Sequence, residues 1–123
     1  MRALSIKQPW AWAILYGKDI ENRTWPTHYT GEFLIHASKT FDFEGLRWML
    51  YHKYSLFAST PIPGRDEFLM GGIVGKSKII DCVSDHPSPF FFGPWGFVLK
   101  NSVEIDFIPC KGQRGFFYIE TQV

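Results

Sequence analysis

Apolar positions divide the chain into short strand-like and helix-like stretches. The apolar run at residues 3–6 predicts a first strand. Residues 10–16 predict a helix of about two turns, because apolar side chains recur there at helical spacing. Pro9 is favoured at the start of a helix and Gly17 at its end, so the two residues are expected to bound it.

After Gly17 the pattern indicates an extended segment that ends at Pro26. Side chains two residues apart lie on the same side of an extended chain. One side would therefore carry four residues: Asp19, Glu21, Arg23 and Trp25. Lys18 precedes them, so a carboxylate, a guanidinium, an indole and an ammonium are expected along one edge.

The remaining apolar stretches complete an α+β pattern. Strands are predicted at residues 31–38, 71–83, 95–105 and 115–120, with loops at 59–68 and 86–94. Residues 41–54 predict a second helix, which Asp42 can cap. Gly75 interrupts its strand and predicts a bulge or a barrel corner. We expect a small β-barrel of about five to six strands with two flanking helices. A chain of 123 residues predicts one domain, residues 1–123.

The charge balance restricts the kinds of partner. The formal net charge is +1, which excludes the whole-molecule basic field of proteins that coat nucleic acid. Binding to phosphate or RNA must then depend on a local patch. Aromatic residues make up 18% of the chain, enough to leave some rings for stacking on a ligand.

The other chemical signals are weak. Cys82 and Cys110 lack metal or redox spacing and predict reduced, buried thiols rather than a disulfide. His28, His52 and His86 are scattered, so neither a metal site nor a cofactor is predicted. The absence of a leader-like N-terminus and of any run of about 18 apolar residues predicts no membrane partner and a cytoplasmic location.

The cluster of Lys18, Glu21 and Arg23 has two interpretations. It is either an ordinary surface ion-pair network or one wall of a ligand cleft. Gln8, Trp10 and Trp25 lie nearby in sequence and favour the cleft. Lysine and arginine suit an anionic or carbonyl ligand, while the carboxylate can accept a hydrogen bond from a base edge.

Three further groups have a functional and a structural interpretation. Ser38 and Lys39 follow a strand and either add donors to the cleft or lead into the next helix. His36 alternates with core positions and is expected to be a partly buried histidine with satisfied hydrogen bonds. The rings at residues 90–92, together with Trp95, either form a second wall or seal the core. Lys76 and Lys78 form a basic stripe or simply keep an exposed strand soluble.

Several segments in order resemble an ASCH domain (activating signal cointegrator homology domain), a family of the PUA-like superfamily. They are "LSIKQPWAWAILYGKDIENRTW", "GEFLIHASK", "GGIVGKSKIIDCV", "GPWGFVLKN" and "IPCKGQRGFFYI". The most specific element is the motif formed by Gly17, Lys18, Glu21 and Arg23. The resemblance implies a PUA-like barrel whose adjacent cleft recognises RNA or a nucleotide, lined by this motif and by the strand end from His36 to Lys39.

Some small bacterial ASCH proteins are amidohydrolases that remove the acetyl group of N4-acetylcytidine with a Lys, a Thr and a Glu. By this resemblance Lys18 matches the catalytic lysine, whereas Glu21 stands at the threonine position. Asp81 and Asp85 lie in the region of the separate glutamate.

Three functional hypotheses follow. The first is a binding module that holds an RNA nucleotide or a modified nucleoside, with Trp10 or Trp95 stacking on the base. The second is an amidohydrolase in which Lys18 attacks an amide carbonyl and Glu21 shuttles the proton. The third is a protein-interaction domain that uses the aromatic segment 86–97. The oligomeric state is not predicted.

Overall fold

The computed structural model describes residues 1–121 and has an α+β architecture. Its six strands are β1 (Arg2–Gln8), β2 (Ile20–Arg23), β3 (Gly31–Phe41), β4 (Gly72–Val83), β5 (Trp95–Pro109) and β6 (Phe116–Tyr118). Its three α-helices are α1 (Trp10–Leu15), α2 (Phe43–Tyr51) and α3 (Lys53–Leu56). The predicted α+β class is confirmed, and each predicted strand and the first helix are found.

The strands form one mixed sheet in the order β2-β5-β4-β3-β1-β6. Only the β1–β3 pair is parallel. Within residues 1–121 no ladder of hydrogen bonds joins the outer strands β2 and β6. The sheet is therefore open in its hydrogen bonding, and closure into a barrel is not confirmed.

The second helix differs from its prediction. The segment 41–54 was expected to be one helix, but α2 ends at Tyr51 and α3 begins at Lys53, so residues 1–121 have three short α-helices rather than two. The break falls at His52, whose backbone N–H and ring Nδ1 both bind the Trp48 carbonyl oxygen, at 3.1 Å and 3.0 Å. Asp42 caps α2 as expected, since its Oδ1 accepts from the Gly45 N–H at 2.9 Å.

The interruption at Gly75 is a bulge, as the sequence predicted. Ile35 on β3 pairs with Gly75, and the next residue, His36, pairs with Ile73, so one extra residue of β4 is accommodated. A Cβ atom at position 75 would lie 2.6 Å from a Leu15 methyl carbon. Glycine therefore lets α1 pack against the bulged strand.

The core is divided between the sheet and the helices. Under the sheet the largest buried side chains include Leu4, Phe33, Ile35 and Phe97. A second cluster packs beneath α1 and α2: Ala13, Ile20, Met49, Phe57 and Phe90. Ile20, the first residue of β2, is buried in this second cluster. Its burial fixes the position of the charged residues that follow in β2.

The two cysteines and the lengths of the helices complete the description of the fold. Cys82 and Cys110 are both free thiols, as predicted, but both are half-buried rather than buried. No helix in residues 1–121 has the length and apolar character needed to cross a membrane.

Candidate functional site

A buried chain of charges lies at the junction of α1 and β2. Lys18 Nζ is 3.0 Å from Glu21 Oε1 and donates a second hydrogen bond to the Ile20 carbonyl oxygen at 2.6 Å. Arg23 contacts the other carboxylate oxygen, with Nη2 3.0 Å and Nε 3.1 Å from Glu21 Oε2. One carboxylate thus neutralises two cations through separate oxygens.

Local structure explains why these side chains converge. Gly17 has a φ of +127°, which suits glycine, and turns the chain out of α1. The Lys18 N–H then donates to the Ala13 carbonyl at 2.8 Å. Pairing of Glu21 with Phe97 holds β2 against β5, and Arg23 Nη2 donates to the Ser5 carbonyl at 2.7 Å, which joins the cluster to β1.

The environment of Glu21 favours its ionised form. Burial raises the pKa of this carboxyl, but attraction to Lys18 and Arg23, together with their hydrogen bonds, outweighs burial. The net effect holds the pKa of Glu21 below its ordinary value. Glu21 is therefore a stable hydrogen-bond acceptor at neutral pH and a weak base.

The charge chain faces a small pocket of about 350 Å³. Trp10 and Phe92 form its aromatic walls, with ring centres 6.1 Å apart in an edge-to-face arrangement. Asp42 holds the first ring in place, because Trp10 Nε1 donates to its Oδ2 at 2.8 Å. Lys18 Nζ lies 5.5 Å from the Trp10 ring centre.

Asn22 fixes the aromatic loop that supplies Phe92. Its side-chain oxygen accepts from the N–H groups of Phe92 at 2.7 Å and Gly93 at 3.0 Å, and its Nδ2 donates to the Phe90 carbonyl at 2.9 Å. Phe90 is only 4% exposed and belongs to the core, whereas Phe92 is 54% exposed and forms the wall. The sequence left open whether these rings seal the core or form a wall. Phe90 does the first and Phe92 the second.

A larger cleft of about 1180 Å³ adjoins the small pocket, and the two share Ser5, Lys7 and Arg23. Five cationic side chains line the cleft: Lys7, Arg23, Lys39, Lys111 and Arg114. No aspartate or glutamate is among its lining residues within the described part of the chain. The cleft is consequently a local positive patch on a nearly neutral protein.

His36 and Ser5 form part of the cleft wall. Ring atom Nε2 of His36 lies 2.8 Å from the Cys110 carbonyl oxygen, which can only accept, so Nε2 carries a proton. In the neutral ring Nδ1 then accepts from the Ser5 hydroxyl at 3.0 Å. The expectation of a satisfied histidine is confirmed, although the ring is buried rather than partly buried. Burial raises the pKa of the neighbouring Cys110 thiol, opposed by a hydrogen bond from the Ile73 backbone.

The family model of the ASCH domain matches residues 4–108. The chain belongs to the ASCH domain family. The match includes the Lys18 to Arg23 segment and ends before Lys111 and Arg114. Membership supports a general role in RNA binding or nucleoside processing. A search of curated proteins gives no significant match.

The ASCH domain brings most of the expected site residues together. Trp10, Lys18, Glu21 and Arg23 line the small pocket, whereas Ser38 and Lys39 line the large cleft with Arg23 and Trp25. Asp19 was expected on the same side, but it precedes β2 and instead accepts a hydrogen bond from the Ser88 hydroxyl at 2.6 Å.

Two expected ligand-binding residues lie outside both linings. Gln8 is buried, and both ends of its amide bind the main chain, at Leu69 O and Trp12 N. It therefore braces the turn before α1. Trp95 pairs with Arg23 across the β2–β5 ladder but does not line either cavity. The acidic candidates Asp81 and Asp85 are exposed and also lie outside both linings.

Three cations of the cleft were not expected from the sequence: Lys7, Lys111 and Arg114. Lys7 follows Ser5 by two residues on a strand, so their shared side was detectable from alternation. Lys111 and Arg114 lie in the turn-rich "KGQRG" segment. Two cations so close together in a turn could have indicated a basic loop. Within residues 1–121 no cluster of three or more His, Cys, Asp or Glu side chains suits a metal ion.

Proposed function

We propose that this ASCH domain binds an RNA nucleotide or a modified nucleoside in the small pocket. The observation that carries the proposal is the buried Lys18–Glu21–Arg23 chain beside a cavity with two aromatic walls. A volume of about 350 Å³ is at the lower end of the range of small-molecule sites, about 300–1,000 Å³. Such a pocket suits one flat, polar ring better than an extended ligand.

Each group has a role that matches a nucleobase. Ionised Glu21 accepts a hydrogen bond from an exocyclic amine. Lys18 has three N–H donors, of which two are used inside the protein, so one is left for a base carbonyl. Arg23 lies where the pocket meets the larger cleft and can bind a phosphate or a carbonyl. Trp10 and Phe92 supply rings for stacking.

The test is a fluorescence titration of the protein with cytidine, N4-acetylcytidine and short single-stranded RNA at low salt. Phe92→Ala removes an exposed wall of the pocket, and Tyr51→Ala removes an exposed ring outside the pocket lining as the control. Loss of one stacking contact should weaken binding roughly 5- to 150-fold in the Phe92 variant and leave the control unchanged. Equal effects in both variants, or no binding by the native protein, would contradict the proposal.

Amide hydrolysis is the second candidate function, favoured by the contact of Lys18 with Glu21 beside a pocket of nucleoside size. Binding has the stronger support. Lys18 donates two hydrogen bonds as an ammonium group, which must lose a proton before it can attack a carbonyl. The lowered pKa of Glu21 makes this carboxylate a poor acceptor for that proton.

Chromatography of N4-acetylcytidine after incubation with the protein distinguishes the two functions. Release of cytidine by the native protein, and its loss in Lys18→Ala, would establish the hydrolase. Binding of the intact nucleoside without release of cytidine is the result expected here.

A further inference from the structure

We propose that Ser5 and His36 form a nucleophile–base pair that hydrolyses acyl esters carrying a negative charge. Both side chains line the large cleft, and neither belongs to the Lys18–Glu21–Arg23 chain of the small pocket. The inference goes beyond nucleotide binding and is independent of it, because it assigns a covalent reaction to a different pair of residues.

The register of the sheet brings the two side chains together. β1 and β3 run parallel, and Ser5 lies directly opposite His36 in their ladder. The Ser5 hydroxyl oxygen is 3.0 Å from His36 Nδ1, although the two residues are 31 positions apart in sequence. A slip of one residue would turn one of the side chains to the other face of the sheet, so the pair depends on this register.

The tautomer of the histidine suits it to act as a base. Nε2 donates its proton to the Cys110 carbonyl oxygen at 2.8 Å, which leaves the lone pair of Nδ1 directed at the Ser5 hydroxyl. Phe117 packs against the imidazole edge-to-face, with ring centres 5.7 Å apart. A nucleophile in hydrogen-bond contact with a base, and the base oriented by a third group, is the arrangement that activates a serine. Compared with a Ser–His–Asp triad, the two ring nitrogens exchange roles and a carbonyl replaces the carboxylate.

The serine hydroxyl can be reached from the cleft. Ser5 is half-buried and lines the cavity, whereas the imidazole that would accept its proton is almost fully buried. Glycine at position 112 leaves open the space beside the hydroxyl: a Cβ atom there would lie 2.5 Å from Ser5 Oγ and 2.9 Å from His36 Nδ1. Any larger residue at position 112 would therefore obstruct the pair.

A cation lies where ester hydrolysis develops negative charge. Arg23 Nη2 donates to the Ser5 main-chain carbonyl at 2.7 Å, which places the guanidinium beside the nucleophilic residue. Arg23 Nη1 makes no hydrogen bond or ion pair within residues 1–121, so its N–H groups can donate to the oxyanion of the tetrahedral intermediate.

The other charges of the cleft select a negatively charged substrate. The cleft has five cationic side chains, and no aspartate or glutamate lines it within the described residues. Apart from Arg23, none of these cations has a carboxylate within 4.0 Å in residues 1–121. Their N–H groups are available to bind a carboxylate on the substrate. An ester that carries a carboxylate therefore fits the cleft better than a neutral ester does.

The reaction balances with water as its only co-reactant. Ser5 Oγ attacks the acyl carbon while its proton moves to His36 Nδ1. The bond between the acyl carbon and the alcohol oxygen then breaks, and the proton on Nδ1 passes to that oxygen. Water attacks the acyl–serine ester and gives a proton to Nδ1, which returns it to Ser5 Oγ as the carboxylic acid leaves.

Covalent labelling with a fluorophosphonate tests the nucleophile, because an activated serine displaces fluoride from the phosphorus of this probe. The labelled protein is digested and the adduct is located by mass spectrometry. We expect the adduct on Ser5 in the native protein and none in Ser5→Ala. The control is Ser55→Ala, which removes an exposed hydroxyl that donates to a main-chain carbonyl rather than to an imidazole. It should be labelled like the native protein.

Gly112→Ala tests the geometry of the pair without changing either member. The added methyl group would push the Ser5 hydroxyl away from Nδ1, and a displacement of about 1 Å can lower a rate about 10²-fold. We expect a loss of this size in the labelling rate.

Hydrolysis of para-acetoxybenzoate and of its neutral methyl ester tests the substrate class. Chromatography follows release of the phenols, and each rate is divided by the rate in hydroxide without protein. The corrected kcat/KM should be about tenfold higher for the carboxylate, because the cleft cations concentrate an anion, and added salt should reduce this preference. Ser5→Ala should lose both activities, whereas Ser55→Ala should retain them.

Four results would overturn the inference. The native protein could carry no adduct on Ser5, or Ser5 could be labelled equally fast after unfolding in urea, which separates the serine from the histidine. The adduct could instead fall on Ser38, which lines the same cleft but has its hydrogen bond with the Thr40 main chain. Equal corrected rates for the two esters would overturn the assignment of an anionic substrate.

Discussion

At the scale of single residues, Glu21 is the group on which the site depends most. Its two oxygens each contact a different cation, and all three side chains are largely removed from water. Losing the carboxylate would leave Lys18 without a charged partner in a buried position. Losing Lys18 would still leave Glu21 paired with Arg23.

This asymmetry gives a stability prediction. Glu21→Gln should lower the free energy of unfolding by about 3–5 kcal/mol, the usual cost of leaving a buried charge unpaired. Lys18→Met should cost clearly less, because the methionine fills the space and the carboxylate keeps one cation. Urea unfolding followed by tryptophan fluorescence measures both changes. Equal losses would mean that Arg23 does not stabilise Glu21 by itself.

The pH dependence of stability provides a separate check on Glu21. Its pKa in the folded protein lies below the ordinary value of 4.5, so the folded state holds the ionised form more strongly than the unfolded chain does. The stabilisation is complete above 4.5 and is lost as the pH falls through the folded pKa. Native protein should therefore lose stability in this acidic range more steeply than Glu21→Gln. The measurement is urea unfolding of both proteins at a series of pH values. If the free energy of unfolding fell equally with pH in both, the expectation would be contradicted.

At the scale of elements, β2 connects the charge chain to the aromatic wall. Glu21 and Arg23 carry the charges, and Asn22 between them holds the loop at residues 90–93. One short strand thereby sets the distance between the polar side and the stacking side of the small pocket. The loop itself has no regular secondary structure, so these hydrogen bonds determine where Phe92 lies.

Removal of the Asn22 side chain should therefore disturb the pocket more than the fold. Asn22→Ala loses three hydrogen bonds, each worth about 0.5–1.5 kcal/mol, and should lower the free energy of unfolding by about 1.5–4.5 kcal/mol. It should also weaken nucleoside binding about as much as Phe92→Ala, because the wall is no longer held. Calorimetric titration and urea unfolding of the same samples test both parts. Native affinity in this variant would show that the loop is held by other contacts.

The cap of α2 is a second element on which the pocket depends. Asp42 accepts from both the Gly45 N–H and Trp10 Nε1, so it begins the helix and orients a pocket ring. Asp42→Ala should lower the free energy of unfolding by about 1–2 kcal/mol, because the helix cap is lost. It should also shift the tryptophan fluorescence of the native state, because Trp10 loses its hydrogen bond. Glu44→Ala, in the first turn and exposed, is the matched control and should change stability by less than about 0.5 kcal/mol.

At the scale of the whole molecule, the first and last strands of the described residues pair with each other. β6 pairs with β1, and the Met1 ammonium donates to the Ile119 carbonyl oxygen at 2.6 Å. Phe117 packs into a cluster with Ala3, Leu34 and Ile73. The last strand thus holds the loop of residues 111–114 against the rest of the fold.

A pair of neighbouring substitutions tests this role of β6. Phe117 is 4% exposed, and Phe117→Ala should lower the free energy of unfolding by about 3–5 kcal/mol. Tyr118 is 68% exposed on the same strand, and Tyr118→Ala should cost less than about 1 kcal/mol. Thermal and urea unfolding provide the comparison. Similar, small losses in both variants would mean that β6 contributes little to the fold.

The strands were predictable from sequence because their hydrophobic alternation and bounding glycines are local features. The break at His52 was not, since the hydrogen bond between its ring and the Trp48 carbonyl is invisible in the apolar pattern. In the site, alternation along β2 was enough to group Glu21 with Arg23 and Trp25. Gln8 was grouped with the charged cluster by nearness in sequence and Trp95 as a ring for stacking. Neither lines a cavity, because the Gln8 amide binds main-chain atoms and Trp95 pairs with Arg23 across the β2–β5 ladder.

The sequence by itself determined the α+β class, the family and the charged side of the small pocket, because each depends on residues close together in the chain. Only the tertiary structure decided which other side chains surround that pocket. Phe92 lies 70 residues beyond Asn22, which holds its backbone, and the cleft cations other than Arg23 come from β1, β3 and the loop after β5. Their convergence depends on strand order and register, which long-range packing sets and which no local pattern contains.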